Sequence, residues 1–509
     1  MSRTKRFVSS ALLGYAFQAA ALVTGLWMAP FLLGKLGQHD YGLWLVGLQI
    51  LTYLMLLDFG IVAVLPREVA YSTGRAEPEA LARVVGETAR VVVYQMPIVA
   101  LAATALWLLM PPAWQPWRGP IGVTLAVFVA LFPLRIFAAV LQGLQDLVYL
   151  GAVNIAAWAL GIAVAVLLVF QGFGLYGLAL NWTVTQTVIA AACAYRVRKR
   201  FPEALPSRLP PMNSVTLRNY LGRGFWVSLS NFAQPLLSGS DTLIVGKLLG
   251  AAAVVPYNST GKLITVLGNQ PQLLMLSAIP GLSELRTSAT KSHIYHTTTA
   301  LTLAVLLLTG GLACVTITVN EGFVVWWLGQ AQYMGLLLTV LFSVSLVLRH
   351  WNLAVQCCTF CFGEERRITL TVFADGIVTC AASIALIWLL GPVGGPVGSL
   401  CGVCLRSLPS NLLSLVRNAE VSPAQLIKPL WPWFWRFTML ATAATLIAQL
   451  FPSRTILETG TRGATAMLVY TSLMWPVAFR SPLGGYLAVL RSGLQKRVLN
   501  SPFGRLVPR

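Results

Sequence analysis

The chain has 509 residues, of which 57% are hydrophobic and 10% charged, and carries a net charge of +20 from 36 Lys and Arg against 16 Asp and Glu. A soluble domain has roughly 25% charged residues, so this composition excludes an ordinary soluble protein, and repeated apolar runs of about 20 residues or more point to one polytopic membrane domain. The cations do not gather on a soluble module with stacking aromatics, which excludes a nucleic-acid surface. With a cytoplasmic N-terminus, about 25 of them fall in inner loops, about 5 in outer loops and about 6 within spans, which is the positive-inside bias.

The expected fold class is all-α. About 14 spans follow in chain order, at roughly 8–33, 41–65, 84–110, 120–144, 147–170, 175–196, 222–247, 254–281, 295–319, 335–361, 368–390, 396–416, 432–451 and 463–480. The first begins after Met1-Ser-Arg3-Thr-Lys5-Arg6, is too long for a signal peptide, and has no small-residue cleavage site behind it. The second carries Asp58 near its end, where a carboxylate is costly unless paired or hydrated. A proline-rich basic stretch from Arg196 to Arg223 separates spans one to six from the rest. Trp114, Trp117, Trp326 and Trp327 are expected at the outer interface, and the elbow Trp431-Pro-Trp433-Phe-Trp435 at the inner one. The eight cysteines lie in or beside apolar runs and read as buried thiols, Cys401-x-x-Cys404 included. The final Leu506-Val507-Pro508-Arg509 matches half of a thrombin site and is set aside as a tag remnant.

The chain also repeats itself. Gly34-Lys35-Leu36-Gly37 before Tyr41 returns as Gly246-Lys247-Leu248-Leu249-Gly250 before Tyr257; Gly174-Leu-Tyr-Gly177 is echoed by Gly395-Pro-Val-Gly398, and Gly143 by Gly363. Six spans per copy implies parallel repeats related by an axis along the membrane normal. The expected organisation is an N-lobe at 1–200, a cytoplasmic linker at 201–221, a C-lobe at 222–417 and an appended pair with a basic tail at 418–505.

The runs Leu36-Gly37, Tyr41-Gly42-Leu43-Trp44, Asp58-Phe59-Gly60-Ile61, Arg67-Glu68-Val69-Ala70 and Asp241-Thr-Leu-Ile-Val-Gly246 through Lys262 resemble Wzx-type polysaccharide repeat-unit flippases. These belong to the multidrug/oligosaccharidyl-lipid/polysaccharide exporter superfamily, with the multidrug and toxin extrusion (MATE) transporters. The resemblance implies two six-helix lobes in a V and an undecaprenyl-diphosphate-linked oligosaccharide as cargo. It also implies a place in the bacterial inner membrane with both termini cytoplasmic, a monomer working beside polysaccharide polymerase machinery. The appended pair is also a feature of the lipid II flippase family, which forms a groove for the lipid tail with it. That family carries arginines in its first helix, whereas Phe7–Leu33 here has no charge.

No enzyme constellation is present. The histidines (His39, His293, His296, His350) and acids are scattered, with no phosphate loop and no metal-ligand spacing. Catalytic residues, metal and cofactor are therefore expected to be none, apart from a coupling H⁺ or Na⁺. Intramembrane ionisable groups mark candidate sites, because each needs a cavity or a partner. Arg349, Lys262 and Arg135 suit a diphosphate, since guanidinium forks match phosphate; a local salt bridge is the alternative for each. Asn231, Gln234 and Gln18 suit sugar hydroxyls or helix–helix bonding. Asp241 and Asp58 are the candidate ion-coupling acids, with local pairing as the alternative. A cation-coupled multidrug exporter stays open as a second function, as does a lipid II-type flippase.

Overall fold

Hydrocarbon offers a backbone no water, so segments that cross it close their hydrogen bonds within helices. The computed structural model describes residues 3–58, 60–74, 78–206, 209–210, 214–288, 291–360, 362–453, 455–480 and 483–485. Among these no strand occurs, and eight helices are long and apolar enough to cross a membrane. The fold is all-α and the protein a multi-pass membrane protein. Its outward faces are those of a chain dissolved in lipid: Trp388 is 76% exposed, and Leu101, Leu405 and Leu457 are similarly open.

Contacts divide the chain into two units, Met1–Val255 and Pro256–Arg509. The boundary expected from the linker was 201–221. Helices α8 (Ser214–Ser238) and α9 (Ser240–Leu248), which the repeat assigns to the second copy, pack instead on α2 (Ile61–Gly74) and α1 (Arg3–Leu54). Tyr53 donates to the Pro235 carbonyl at 3.0 Å, Gly239 faces Gln49 and Gly246 faces Val46.

In the first unit, α1 runs through the turn expected between spans one and two and bends at Gly37 (φ 80). Only glycine takes that conformation cheaply. Span two then ends early: a 3₁₀ turn, Met55–Asp58, and Gly60 (φ 67) interrupt it before α2 leaves. The chain continues through α3 (Pro78–Leu108), α4 (Arg118–Leu131) and α5 (Arg135–Gly143). A 3₁₀ turn at Phe132–Leu134, around Pro133, separates α4 from α5. α6 (Leu147–Phe170) and α7 (Leu175–Arg200) lie close together because Gly161 meets Asn181 and Thr185, with Ala157 and Ala165 buried on the same stripe. Such a small-residue stripe lets two backbones approach in lipid. Trp117, expected at the interface, is buried against Gly47; the indole fills the room that glycine leaves.

α10 (Ala251–Thr260) crosses the boundary between the units, and the second continues with α11 (Lys262–Ser288), α12 (Lys291–Leu328), α13 (Leu336–Phe360), α14 (Glu365–Leu390), α15 (Gly394–Gly402), α16 (Leu408–Ala419), α17 (Pro423–Ile427), α18 (Trp431–Leu450) and α19 (Ile456–Ala478). α15 packs on α14 through Gly394, Gly398 and Gly402, whose absent side chains leave space for Ile387, Ser383 and Asp375. α18 and α19 pack on α12, where Gly310 and Gly311 make room for Trp433 and Tyr470. Trp431 and Trp435 stay exposed as expected, but Trp433 turns inward and donates to Tyr470 Oη at 3.2 Å.

Backbone geometry corrects the register of the repeat. Gly37 (φ 80) and Gly250 (φ 91) both bend the chain, as their pairing requires. Gly174 (φ 55, ψ −128) matches Gly391 (φ 65, ψ −147), four residues before the expected Gly395. The positive φ that corresponds to Gly363 (φ 83) belongs to Gln145 (φ 60), whereas Gly143 serves to admit Val69.

At the turn between α13 and α14, Glu364 accepts hydrogen bonds from Asn418 (2.9 Å), Ser414 and Arg367. Partial burial raises its carboxyl, but these donors outweigh it and hold it below the ordinary carboxylate value. Its contribution to stability is thus complete above the unfolded carboxylate range and is lost as pH falls through the lower folded value. Glu364→Gln should melt earlier than the parent at pH 7, with the difference shrinking towards pH 3 in detergent melting curves. Gly398→Leu and Gly402→Leu should each cost about 1–3 kcal/mol by overpacking; the same melts should show Gly460→Ala, with open space at its Cβ, unchanged.

Candidate functional site

Two helix interruptions meet in the first unit. Arg135 is the first residue of α5, just after the Phe132–Leu134 turn, and its Nη1 donates to the Met55 carbonyl at 3.0 Å. Met55 opens the 3₁₀ turn that ends α1. The guanidinium thus satisfies a carbonyl at a break in the helix, and its face lies 5.6 Å from the Phe132 ring centroid. Beside this bridge opens a cavity of about 1010 Å³.

Its walls are helical stripes. α5 contributes Arg135, Ala138, Ala139 and Gln142; α6 contributes Leu147, Leu150, Gly151 and Asn154; α7 contributes Gln186, Ile189 and Ala190. These spacings of three and four place each set on one helix face. α2 contributes Val62, Ala63, Pro66 and Arg67, and α8 contributes Asn231. The charged groups among the described lining residues are Arg67 and Arg135, and the remaining hydrogen-bonding side chains are carboxamides. No Asp or Glu occurs among those described residues. The first amides of a helix lack intrahelical acceptors, so the start of α2, at Val62 and Ala63, adds positive potential to the same space.

The structure therefore joins two of the expected residues, Arg135 and Asn231, in one cavity. Gln234 is exposed one turn further along α8, and Gln18 is exposed on α1; neither lines the cavity. Asp241 is half-buried in the first turn of α9, where a carboxylate complements the helix dipole. Asp58 closes the 3₁₀ turn at the break, and its side chain lies outside the described residues. Arg67, Gln142, Asn154 and Gln186 were not singled out as ligands in the sequence. For Asn154 the signal was a polar residue ending the otherwise apolar stripe Leu147, Leu150, Gly151.

The remaining expected cations lie in the second unit. Lys262 is half-buried at the start of α11, after the turn at Gly261, and makes no hydrogen bond or ion pair among the described residues. Arg349, expected as a head-group ligand, has all three guanidinium nitrogens engaged within the unit. Nη1 donates to Asp375 Oδ2 at 2.8 Å, Nε to Ser399 Oγ at 3.0 Å, and Nη2 to Thr379 Oγ1 and the Ser399 carbonyl, both at 2.9 Å. Asp375, 1% exposed, also accepts from Thr379 (3.0 Å) and from Ser407, which ends a π-helical turn at Val403–Ser407. His350 bridges helices, with Nδ1 2.7 Å from the Leu346 carbonyl and Nε2 2.9 Å from that of Gly268.

Known proteins share this fold. The lipid II flippase MurJ in an inward closed conformation aligns with a TM-score of 0.63 over 93% of this chain and 100% of that one, at 9% identity. A multidrug resistance MATE transporter aligns at 0.54 in its inward-facing form, over 82% and 96% of the two chains at 13% identity. The outward-facing form of such a transporter aligns at 0.57, over 83% and 96% at 14% identity. In sequence, the family described as "Polysaccharide biosynthesis protein" matches residues 127–334, which include α5 to α8 of the cavity wall. No curated protein matches the chain. The chain thus matches a polysaccharide biosynthesis family over part of its length and shares the fold of the flippase and exporters above.

Breaking a buried ion pair strands the surviving charge, typically at about 3–5 kcal/mol. Arg349→Met and Asp375→Leu should each lower thermal stability by that order. The double variant should recover much of the loss, which a double-mutant cycle of melting curves reads directly.

Proposed function

We propose that the protein flips an undecaprenyl-diphosphate-linked oligosaccharide from the cytoplasmic to the outer leaflet of the bacterial inner membrane, by alternating access, for surface polysaccharide assembly. The observation that carries this reading is the cavity in which Arg67 and Arg135 meet four carboxamides beside two broken helices. Two guanidinium groups lining one cavity suit a diphosphate, since guanidinium binds phosphate bidentately. Discontinuous helices that direct their ends at a bound anion are a recurring device of secondary transporters. The match to a polysaccharide biosynthesis family supports a glycan cargo.

In this scheme Arg135 and Arg67 hold the diphosphate when the site faces the cytoplasm. Lys262, a cation of the second unit with no hydrogen bond or ion pair among the described residues, takes part in its passage, while Arg349 holds its own helices together. Asp241 carries the coupling H⁺ or Na⁺. Both termini lie in the cytoplasm, in keeping with the positive-inside bias, and the chain works as a monomer in contact with polymerase machinery.

A lipid II-type flippase is the second reading, favoured by the alignment with MurJ over that chain's whole length. The absence of charge in Phe7–Leu33 weighs against it. A cation-coupled drug exporter would need acids in its cavity, and the described walls supply arginines and amides.

Arg135→Ala should lower export of lipid-linked repeat units about ten- to a hundredfold, the worth of one charge-assisted hydrogen bond. The measurement is outer-leaflet glycan on cells that depend on this protein. Arg135→Lys should restore only part of it, since a point charge lacks the fork. Export at the parental rate in Arg135→Ala and Arg67→Ala would contradict the head-group assignment.

A further inference from the structure

The cavity of the first unit has a second chemical character that binding a diphosphate does not use. Arg135 and Gln142 lie on one stripe of α5, two turns and about 10 Å of helix rise apart. Beyond the arginines, the cavity is faced by Gln142, Asn154, Gln186 and Asn231, one from each of four helices. Gln186 is half-buried and the other three are exposed to the cavity; none makes a side-chain hydrogen bond among the described residues. Each carboxamide presents one acceptor and two donors, and none brings charge. Four uncommitted amides on a largely apolar wall are costly in lipid unless water or a ligand meets them.

We infer that these carboxamides form a sugar-reading wall. The sugar next to the diphosphate is neutral and bears hydroxyl or acetamido groups, and Asn154 and Gln186 determine which sugar is accepted. This inference rests on the flippase reading above. Asn154 and Gln186 are the determinants because α6 and α7 are locked together at Gly161, Asn181 and Thr185, and a site on rigid elements holds its geometry most closely. The donors and acceptors of a carboxamide match a hydroxyl or an acetamido group, which both gives and receives. A charged sugar at that end would give up hydration without finding a counter-charge on the amide wall.

Three probes test this on the full chain in detergent by microscale thermophoresis: farnesyl diphosphate, farnesyl-diphosphate-linked N-acetylglucosamine, and farnesyl-diphosphate-linked glucuronic acid. The parental chain should bind the neutral-sugar probe about tenfold tighter than farnesyl diphosphate, and the charged-sugar probe no tighter than farnesyl diphosphate. Asn154→Ala and Gln186→Ala should lose the tenfold preference while binding farnesyl diphosphate as the parent does. Both positions line the cavity, so truncation enlarges it and leaves the core intact, and unchanged melting curves check this. Retention of the preference in both variants, or tighter binding of the charged-sugar probe, overturns the inference. Arg135→Gln should weaken all three probes alike. If it weakens none, the head-group reading fails, whereas loss of sugar preference without loss of farnesyl diphosphate binding isolates the amide wall. A parental chain that binds no probe overturns both.

Discussion

Every feature of the site follows from the demand that a backbone in hydrocarbon leave no polar group unbonded. A helix that stops inside the membrane frees carbonyls at its end, and something must bond them. In the first unit that group is Arg135, whose guanidinium meets the Met55 carbonyl where α1 breaks. The second break, at Phe132–Leu134, is what brings Arg135 to the start of its own helix. The two interruptions support each other, and the space between their ends is the cavity. An arginine placed there has a structural reason to exist and lines the cavity as well.

The second unit answers the same demand by closing the charge in. Arg349 meets Asp375 and a ring of hydroxyls, and Ser407 reaches the carboxylate from a π-helical turn. Such turns re-aim side chains at the cost of one irregular loop of backbone. Gly402 admits the carboxylate at close range, so the ion pair and the tight α14–α15 contact depend on each other. An ion pair with this many partners specifies the packing of its helices, whereas Arg135 lines a cavity. Two intramembrane arginines on corresponding spans thus stand in different settings, one bonding a carbonyl at a helix break beside a cavity and the other inside a buried polar cluster.

Much of this was legible in the chain. Apolar runs gave the helical, membrane-bound class, and Arg135 and Asn231 stood out as polar groups at membrane depth. The bends at Gly37 and Gly250 were legible because a glycine before a polar turn admits a left-handed φ. Other features were not. Gly143 and Gly395 look like turn glycines, yet the positive φ falls at Gln145 and Gly391, since a glycine also serves close packing and sequence alone does not separate the two uses. Trp117 reads as an interfacial anchor until Gly47 is seen to leave it room. Gln142, Asn154 and Gln186 carry the stripe spacing of any helix–helix contact, and only the cavity distinguishes a ligand-facing amide from one that bonds a neighbouring helix. The partner of Arg349 lies 26 residues away, a pairing set by tertiary packing.

The central claim is that the two helix breaks of the first unit frame an anion site. Electron cryomicroscopy of the full chain in nanodiscs with farnesyl-diphosphate-linked N-acetylglucosamine tests it most directly. The account predicts density for two phosphates between Arg67 and Arg135, beside the turn Met55–Asp58, with the sugar towards Asn154 and Gln186. Phosphate density located elsewhere, with this cavity empty, would contradict it.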